Sequence, residues 1–257
     1  MTTRRFLAGL AAGCAVLFTA SAHAADGPLR VYGPGGPAPA MKEAAQAFGA
    51  QRGIAVEVVA GPTPQWADQA KADAGVLFTG AENMAGDFAK ALPGVFELRE
   101  VEPIALRPVA ILVRPGNPKR IGGFRDLLKP GLRVLTVAGA GQTGLWEDVA
   151  GRTGELAVVK AFRANLVFPE AANSAAARQA WVDRPEIDAW LIWTIWQVAN
   201  PTLADVVAVE PEFRIWRDAG VVVTAKGKGV ANAQAFVEFL RSPAGKAIFA
   251  KWGWQPG

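Results

Sequence analysis

Cysteine, histidine and tyrosine each occur once in the 257 residues. The cysteine is Cys14 and the histidine is His23, and both fall in an amino-terminal stretch that reads as an export signal. Arg4 and Arg5 supply its positive start, residues 6–20 are apolar, and Ala22-His23-Ala24 is a small-x-small cleavage pattern. Residues 1–24 are therefore expected to be removed, leaving a mature chain that begins at Ala25 without thiol or imidazole. That excludes Ser-His-Asp and Cys-His nucleophiles, histidine general bases and zinc sites of the usual ligand set. Export without disulfides leaves stability to a large core, which a 51% hydrophobic composition can supply.

Long apolar runs are missing too. The leader falls short of the roughly 20 residues a spanning helix needs, and no later segment reaches that length. Thr3-Arg4-Arg5-Phe6-Leu7 has a twin-arginine flavour and Ala12-Gly13-Cys14 faintly resembles a lipidation site; ordinary secretion to the periplasm ranks ahead of both. Excess charge of one sign is also absent. Removing Arg4 and Arg5 lowers 27 basic residues to 25 against 23 acidic ones, a net charge of +2, and no Lys/Arg cluster marks a nucleic-acid footprint. There is no Walker loop, no Gly-x-Gly-x-x-Gly fingerprint and no repeat of solenoid length.

What is present is a recurring strand, glycine-rich turn and helix. It occurs at Val31-Tyr32-Gly33-Pro34-Gly35-Gly36-Pro37, at Ala60-Gly61-Pro62-Thr63-Pro64-Gln65-Trp66 and at Ala138-Gly139-Ala140-Gly141-Gln142-Thr143-Gly144. Helix starts behind such turns offer unpaired amides at the positive end of a dipole, which suits an anion. Strands are expected at 29–32, 54–59, 76–78, 106–113, 132–137, 166–168, 206–209 and 221–224, and from 188 into a turn at 196. Helices are expected from 37 with an end near Gly53, at 124–128, 144–150 and 174–182, through Phe236, Val237 and Leu240, and after Ser242-Pro243. This is an α/β rhythm in two units, with a cleft between them.

Several segments resemble the accessory colonization factor AcfC group, which is similar to the molybdate-type solute-binding proteins of ABC importers. They are 33–41, 61–66, Leu112-Val113-Arg114-Pro115-Gly116-Asn117-Pro118, 139–148, Asp188-Ala189-Trp190-Leu191-Ile192-Trp193, 239–245 and 250–254. The resemblance covers essentially the whole mature chain. It implies an α/β, two-lobed periplasmic-binding-protein fold of type II, each lobe a mixed sheet flanked by helices, joined by two crossover hinge segments. Lobe 1 would comprise 25–106 and 209–257, and lobe 2 would comprise 107–208. It also implies ligand turns at Gly35 and Gly36, at Thr63 and Gln65, at Thr79 and Gly80, and at Gln142, Thr143 and Gly144. Trp193 stands where molybdate binders carry a tyrosine, which points to a bulkier ligand than a bare tetrahedral oxyanion.

Residue chemistry adds candidates. Thr63 and Thr143 suit helix caps that also touch ligand, and Gln142 offers a neutral donor, each such bond to a charged group contributing roughly 1.5 to 3 kcal/mol. Asn173 and Ser174 mark another capped start. Arg107, embedded in an apolar run, is the anomalous cation, because arginine is rarely buried without a partner; Arg217 is the second. Glu43, Glu147 and Asp148 read as solvated. The expectation is an exported protein, with no catalytic residue, cofactor or metal, that captures a small oxyanion or a carboxylated or phosphorylated organic acid for an ABC permease. A colonization or sensory protein of the same fold, possibly a homodimer, is the alternative. Fe(III) capture is less suited to a mature chain with Tyr32 as its sole phenol and no imidazole.

Overall fold

The computed structural model describes residues 27–257. The expected signal segment lies outside the described residues. The chain opens with β1 (Leu29–Gly33), α1 (Ala38–Arg52), β2 (Val56–Ala60), α2 (Ala67–Asp73), β3 (Val76–Phe78) and α3 (Glu82–Ala91). β1 pairs in parallel with both β2 and β3, the arrangement that helical crossovers permit. Gly53 ends α1 in the left-handed region at φ 66°, where a side chain would be strained.

β4 (Glu102–Val113) is the organising strand. Residues 102–108 pair antiparallel with β8 (Trp216–Val223), which also pairs with β3. From Val109 onward β4 pairs instead with β6 (Ala189–Trp193), and from Ala110 with β7 (Asp205–Ala208). The change of partner falls at Pro108, whose missing N–H costs least where a ladder is interrupted. The resulting order is β2-β1-β3-β8-β4-β6-β5, so one continuous sheet has two halves sharing β4.

The second half adds β5 (Val134–Leu135), α4 (Leu145–Ala150), α5 (Leu156–Ala164), α6 (Ser174–Asp183) and α7 (Ile195–Ala199). α8 (Ala231–Arg241), α9 (Pro243–Lys251) and β9 (Gln255–Pro256) return to the first half, where β9 pairs with β4 at Ala105 and Leu106. As its sequence suggests, Ser242 caps α9, accepting a bond from the Gly245 amide at 3.3 Å. Apolar residues of both halves form one continuous core. A second cluster under α2 and α3 contains Tyr32, Trp66 and Phe88, with Trp66 edge-on to Phe88 at 5.1 Å.

Some local expectations are corrected. The strand expected at 132–137 shortens to two residues, and that at 166–168 is a single bridge from Leu166 to Val134. Thr63 begins a 3-10 turn and makes no side-chain cap. The Thr143 hydroxyl donates backward to the Ala140 carbonyl at 3.0 Å, while Gly144, left-handed at φ 71°, starts α4 without a side-chain cap. Asn173 does cap α6, accepting from the Ala176 amide at 2.9 Å. Helices α3 and α5 are not among the expected elements, and α7 occupies 195–199, where strand running into turn is expected. Among the described residues no helix is long and apolar enough to cross a membrane.

Candidate functional site

Arg107 sits on β4 one residue before the change of partner, and only 2% of it is exposed. Its Nη2 donates to the carbonyl oxygen of Gly80. Nε has no hydrogen-bond partner among the described residues, and no carboxylate there lies within salt-bridge distance of the guanidinium. The guanidinium carbon lies 4.7 Å from the ring centre of Trp193 and 5.0 Å from that of Trp254. Taking this charge out of water is costly, since one carbonyl replaces only part of its hydration. Burial pushes its pKa down to about 9; Asp218 opposes that shift and Arg217 adds to it.

Three glycine turns converge on that guanidinium. A methyl group on Gly36 would lie 3.0 Å from Nη1, one on Gly141 3.0 Å from Nη2, and one on Gly80 3.3 Å from Nη2. Gly36 precedes α1, Gly80 precedes α3 and Gly141 lies in the turn before α4, so both halves of the sheet supply main chain to one spot. A side chain at any of the three would press on the guanidinium and require it to give by a few tenths of an ångström. The amides of Gly35, Gly36, Gly80, Gly141 and Gly144 donate to no backbone carbonyl outside regular helices and strands.

The neighbouring polar groups extend the site into the second half. Gln142 is buried; its Nε2 donates to Ser174 Oγ at 2.9 Å, and its Oε1 has no partner among the described residues. Ser174 opens α6 beside the capping Asn173. Trp193 is fully buried with its indole N–H unpaired; the indoles of buried Trp190 and half-buried Trp196 are unpaired too, so the indole carries less weight than the guanidinium.

Other candidates stand differently. Thr79 is buried in structure, its Oγ1 accepting from the Gly220 amide at 3.1 Å and its own amide donating to Gly220 at 2.8 Å. Its hydroxyl anchors the Gly80 turn to β8. Thr63 is half-buried and Gln65 exposed, and Gly61 in that turn approaches only the Gln65 side chain. Thr143 is exposed, with its hydroxyl already engaged. Arg217 pairs with Asp148 of α4 across the two halves, so Asp148 is more than a solvated side chain. These two line an open groove of about 530 Å³ with Glu147, Arg152 and Trp216. Tyr32, the one phenol, donates to Asp73 at 2.6 Å, and burial raises its pKa to about 12. Trp254 and Asn83 are not among the residues the sequence singles out: Trp254, just after the Gly253 turn that ends α9, brings its ring to 5.0 Å from the guanidinium, and Asn83 in the first turn of α3 donates to the Ala140 carbonyl.

Residues 29–255 match the family described as bacterial extracellular solute-binding protein. The chain belongs to that family. No curated protein sequence matches it significantly. Among solved structures, PEB3 bound to L-phospholactate is 32% identical, with a TM-score of 0.84 over 89% of this chain and 100% of that one. Peb3 from Campylobacter jejuni gives 32% identity and a TM-score of 0.83 over the same shares. The molybdate-binding protein of Azotobacter vinelandii shares the fold at 18% identity and a TM-score of 0.67, over 89% of this chain and 99% of that one. The type II periplasmic-binding-protein architecture of this solute-binding protein follows from these likenesses and from the sheet order.

Proposed function

We propose that this chain captures a small organic anion bearing a phosphate or carboxylate group in the cleft between the two halves of its sheet, and passes it unchanged to an ABC permease. The observation that carries this reading is the Arg107 guanidinium: buried, bonded to one carbonyl, and ringed by glycine turns from both halves. An arriving anion would supply the missing acceptors, and the turn amides would complete its shell. PEB3, bound to L-phospholactate, makes a phosphorylated carboxylic acid the first ligand class to test.

The lobes in this reading are 25–106 with 209–257, and 107–208, and they close on the ligand by hinge motion. Gly35, Gly36, Gly80, Gln142, Gly144, Ser174 and Trp193 belong to the site with Arg107. Within the family the chain is assigned to the AcfC-like group, exported to the periplasm through its leader.

A thermal-shift panel of L-phospholactate, lactate, phosphate, sulfate and molybdate tests this. At about 1 mM, a ligand of micromolar Kd stabilises the folded protein by roughly 4 kcal/mol, or on the order of 8 to 16 °C for a chain of this size. If no anion in the panel moves the melting temperature, this reading is wrong.

A further inference from the structure

Trp254 lies beyond the last helix, yet its ring faces the Arg107 guanidinium. We infer that Trp254 and Trp193 form an aromatic clamp that fixes the Arg107 guanidinium at the floor of the cleft and leaves its remaining N–H edge to the ligand, making Trp254 a positioning residue of the anion site. This rests on the proposed role of Arg107 as the anion receptor.

The two indoles come from opposite halves of the sheet. Trp193 ends β6, while Trp254 immediately precedes β9, whose Gln255 pairs with Leu106 beside Arg107. Both rings are buried, Trp193 at 0% and Trp254 at 3% exposure, and the guanidinium lies within 5.0 Å of each ring centre. The choice of partner has chemical meaning. A carboxylate in the same place would neutralise the arginine and compete with an anionic ligand. An indole face attracts the cation through its quadrupole without cancelling the charge, most strongly where water is excluded. The clamp therefore supports a dry guanidinium while keeping it available to an anion.

Local structure places Trp254 with little freedom. Gly253 turns the chain at φ 82° after α9, and the Trp254 amide donates to the Phe249 carbonyl at 3.1 Å. The Trp254 ring meets Phe249 nearly edge-on at 6.0 Å. A methyl group on Gly253 would lie 2.8 Å from Val198 Cγ2 in α7, the helix that follows Trp193. The turn that carries one arm of the clamp thus packs against the helix behind the other.

The test combines binding with a direct view of the guanidinium. With L-phospholactate as probe in calorimetry, Trp254→Leu is expected to weaken binding about tenfold or more, and Trp254→Phe to recover most of it. In nitrogen-15 spectra of arginine side chains, assigned with R107K, the Arg107 Nε–H of the wild type is expected to be displaced by ring currents, with the displacement reduced in Trp254→Leu. Equal affinities of wild type and Trp254→Leu, or an undisplaced Arg107 signal, overturn the clamp. If Trp254→Leu fails to fold, the wild-type signal and Trp254→Phe decide: an undisplaced signal, or no loss of affinity together with an unaltered Arg107 signal in Trp254→Phe, overturns it. A displaced signal in a wild type that binds no anion refutes the receptor reading, and with it the purpose assigned to the clamp, but shows the two failures apart.

Discussion

Asn83 donates from Nδ2 to the carbonyl oxygen of Ala140 at 3.1 Å, joining the first turn of α3 to the glycine turn before α4. With the Arg217–Asp148 pair, this bond ties the two halves of the sheet together. Neither contact touches the guanidinium, so both act on how readily the halves come together rather than on what they hold.

Asn83→Ala and Arg217→Ala are accordingly expected to shift the ligand-free protein toward a more open form and weaken anion binding a few-fold each, since half-exposed pairs contribute about 1 kcal/mol or less. Small-angle scattering should show a larger radius of gyration without ligand, and a normal one at saturating ligand. Unchanged scattering and affinity in both variants would remove them from closure.

Arg107→Met separates binding from stability. The variant should lose the thermal shift produced by L-phospholactate, yet melt at or above the temperature of the ligand-free wild type, because it replaces a poorly hydrated charge by an apolar side chain of similar length. A lower ligand-free melting temperature, measured by calorimetry, would mean that the guanidinium stabilises the fold rather than waiting for a ligand.

The depressed pKa of Arg107 sets a pH dependence. A cation whose folded pKa lies below its unfolded value opposes folding fully at pH values under about 9, and that penalty is relieved as pH rises toward the unfolded value. Anion binding runs the other way, because it requires the protonated guanidinium and raises its pKa. Affinity for L-phospholactate is expected to fall as pH climbs through about 9, with proton uptake on binding above that point. Titration calorimetry in two buffers of different ionisation heat measures both.

Gly141→Ala should be more damaging than Thr143→Asp. A methyl group on Gly141 would lie 3.0 Å from Arg107 Nη2, so the guanidinium at the centre of the proposed site has to give by a few tenths of an ångström. Thr143→Asp brings a negative charge to an exposed position and is expected to weaken anion binding in a salt-dependent way. Affinities at low and high ionic strength distinguish the two effects.

Tyr32→Phe serves as a control. It removes the bond to Asp73 and should cost about 1 kcal/mol in denaturant unfolding while leaving anion affinity unchanged.

Much of this arrangement was readable from the chain. Strand 76–78 and the short helix at 124–128 coincide with the structure because apolar runs and Gly or Pro punctuation bound them tightly. Arg107 could be recognised as an anomaly because a charge inside an apolar strand demands an explanation. The glycine turns before α1 and α4 were visible as motifs, and the turn before α3 entered through family resemblance. Their meeting at one guanidinium was not visible, because it depends on β4 changing partner at Pro108, a tertiary event without local signature. Trp254 was hidden for the same reason: its role comes from edge pairing of β9 on β4, a contact about 150 residues distant in sequence.

The position of Arg107 on the one strand common to both halves has a kinetic corollary. In the proposed hinge closure the halves would swing about β4, which changes the distance between their turns and leaves the guanidinium near the pivot. The charge is thus presented before the jaws meet, so capture separates into a bimolecular encounter whose rate rises with anion concentration and falls with salt, and a later unimolecular tightening that does neither. Stopped-flow tryptophan emission would resolve them as two phases, with Trp193 and Trp254 reporting at the pivot itself.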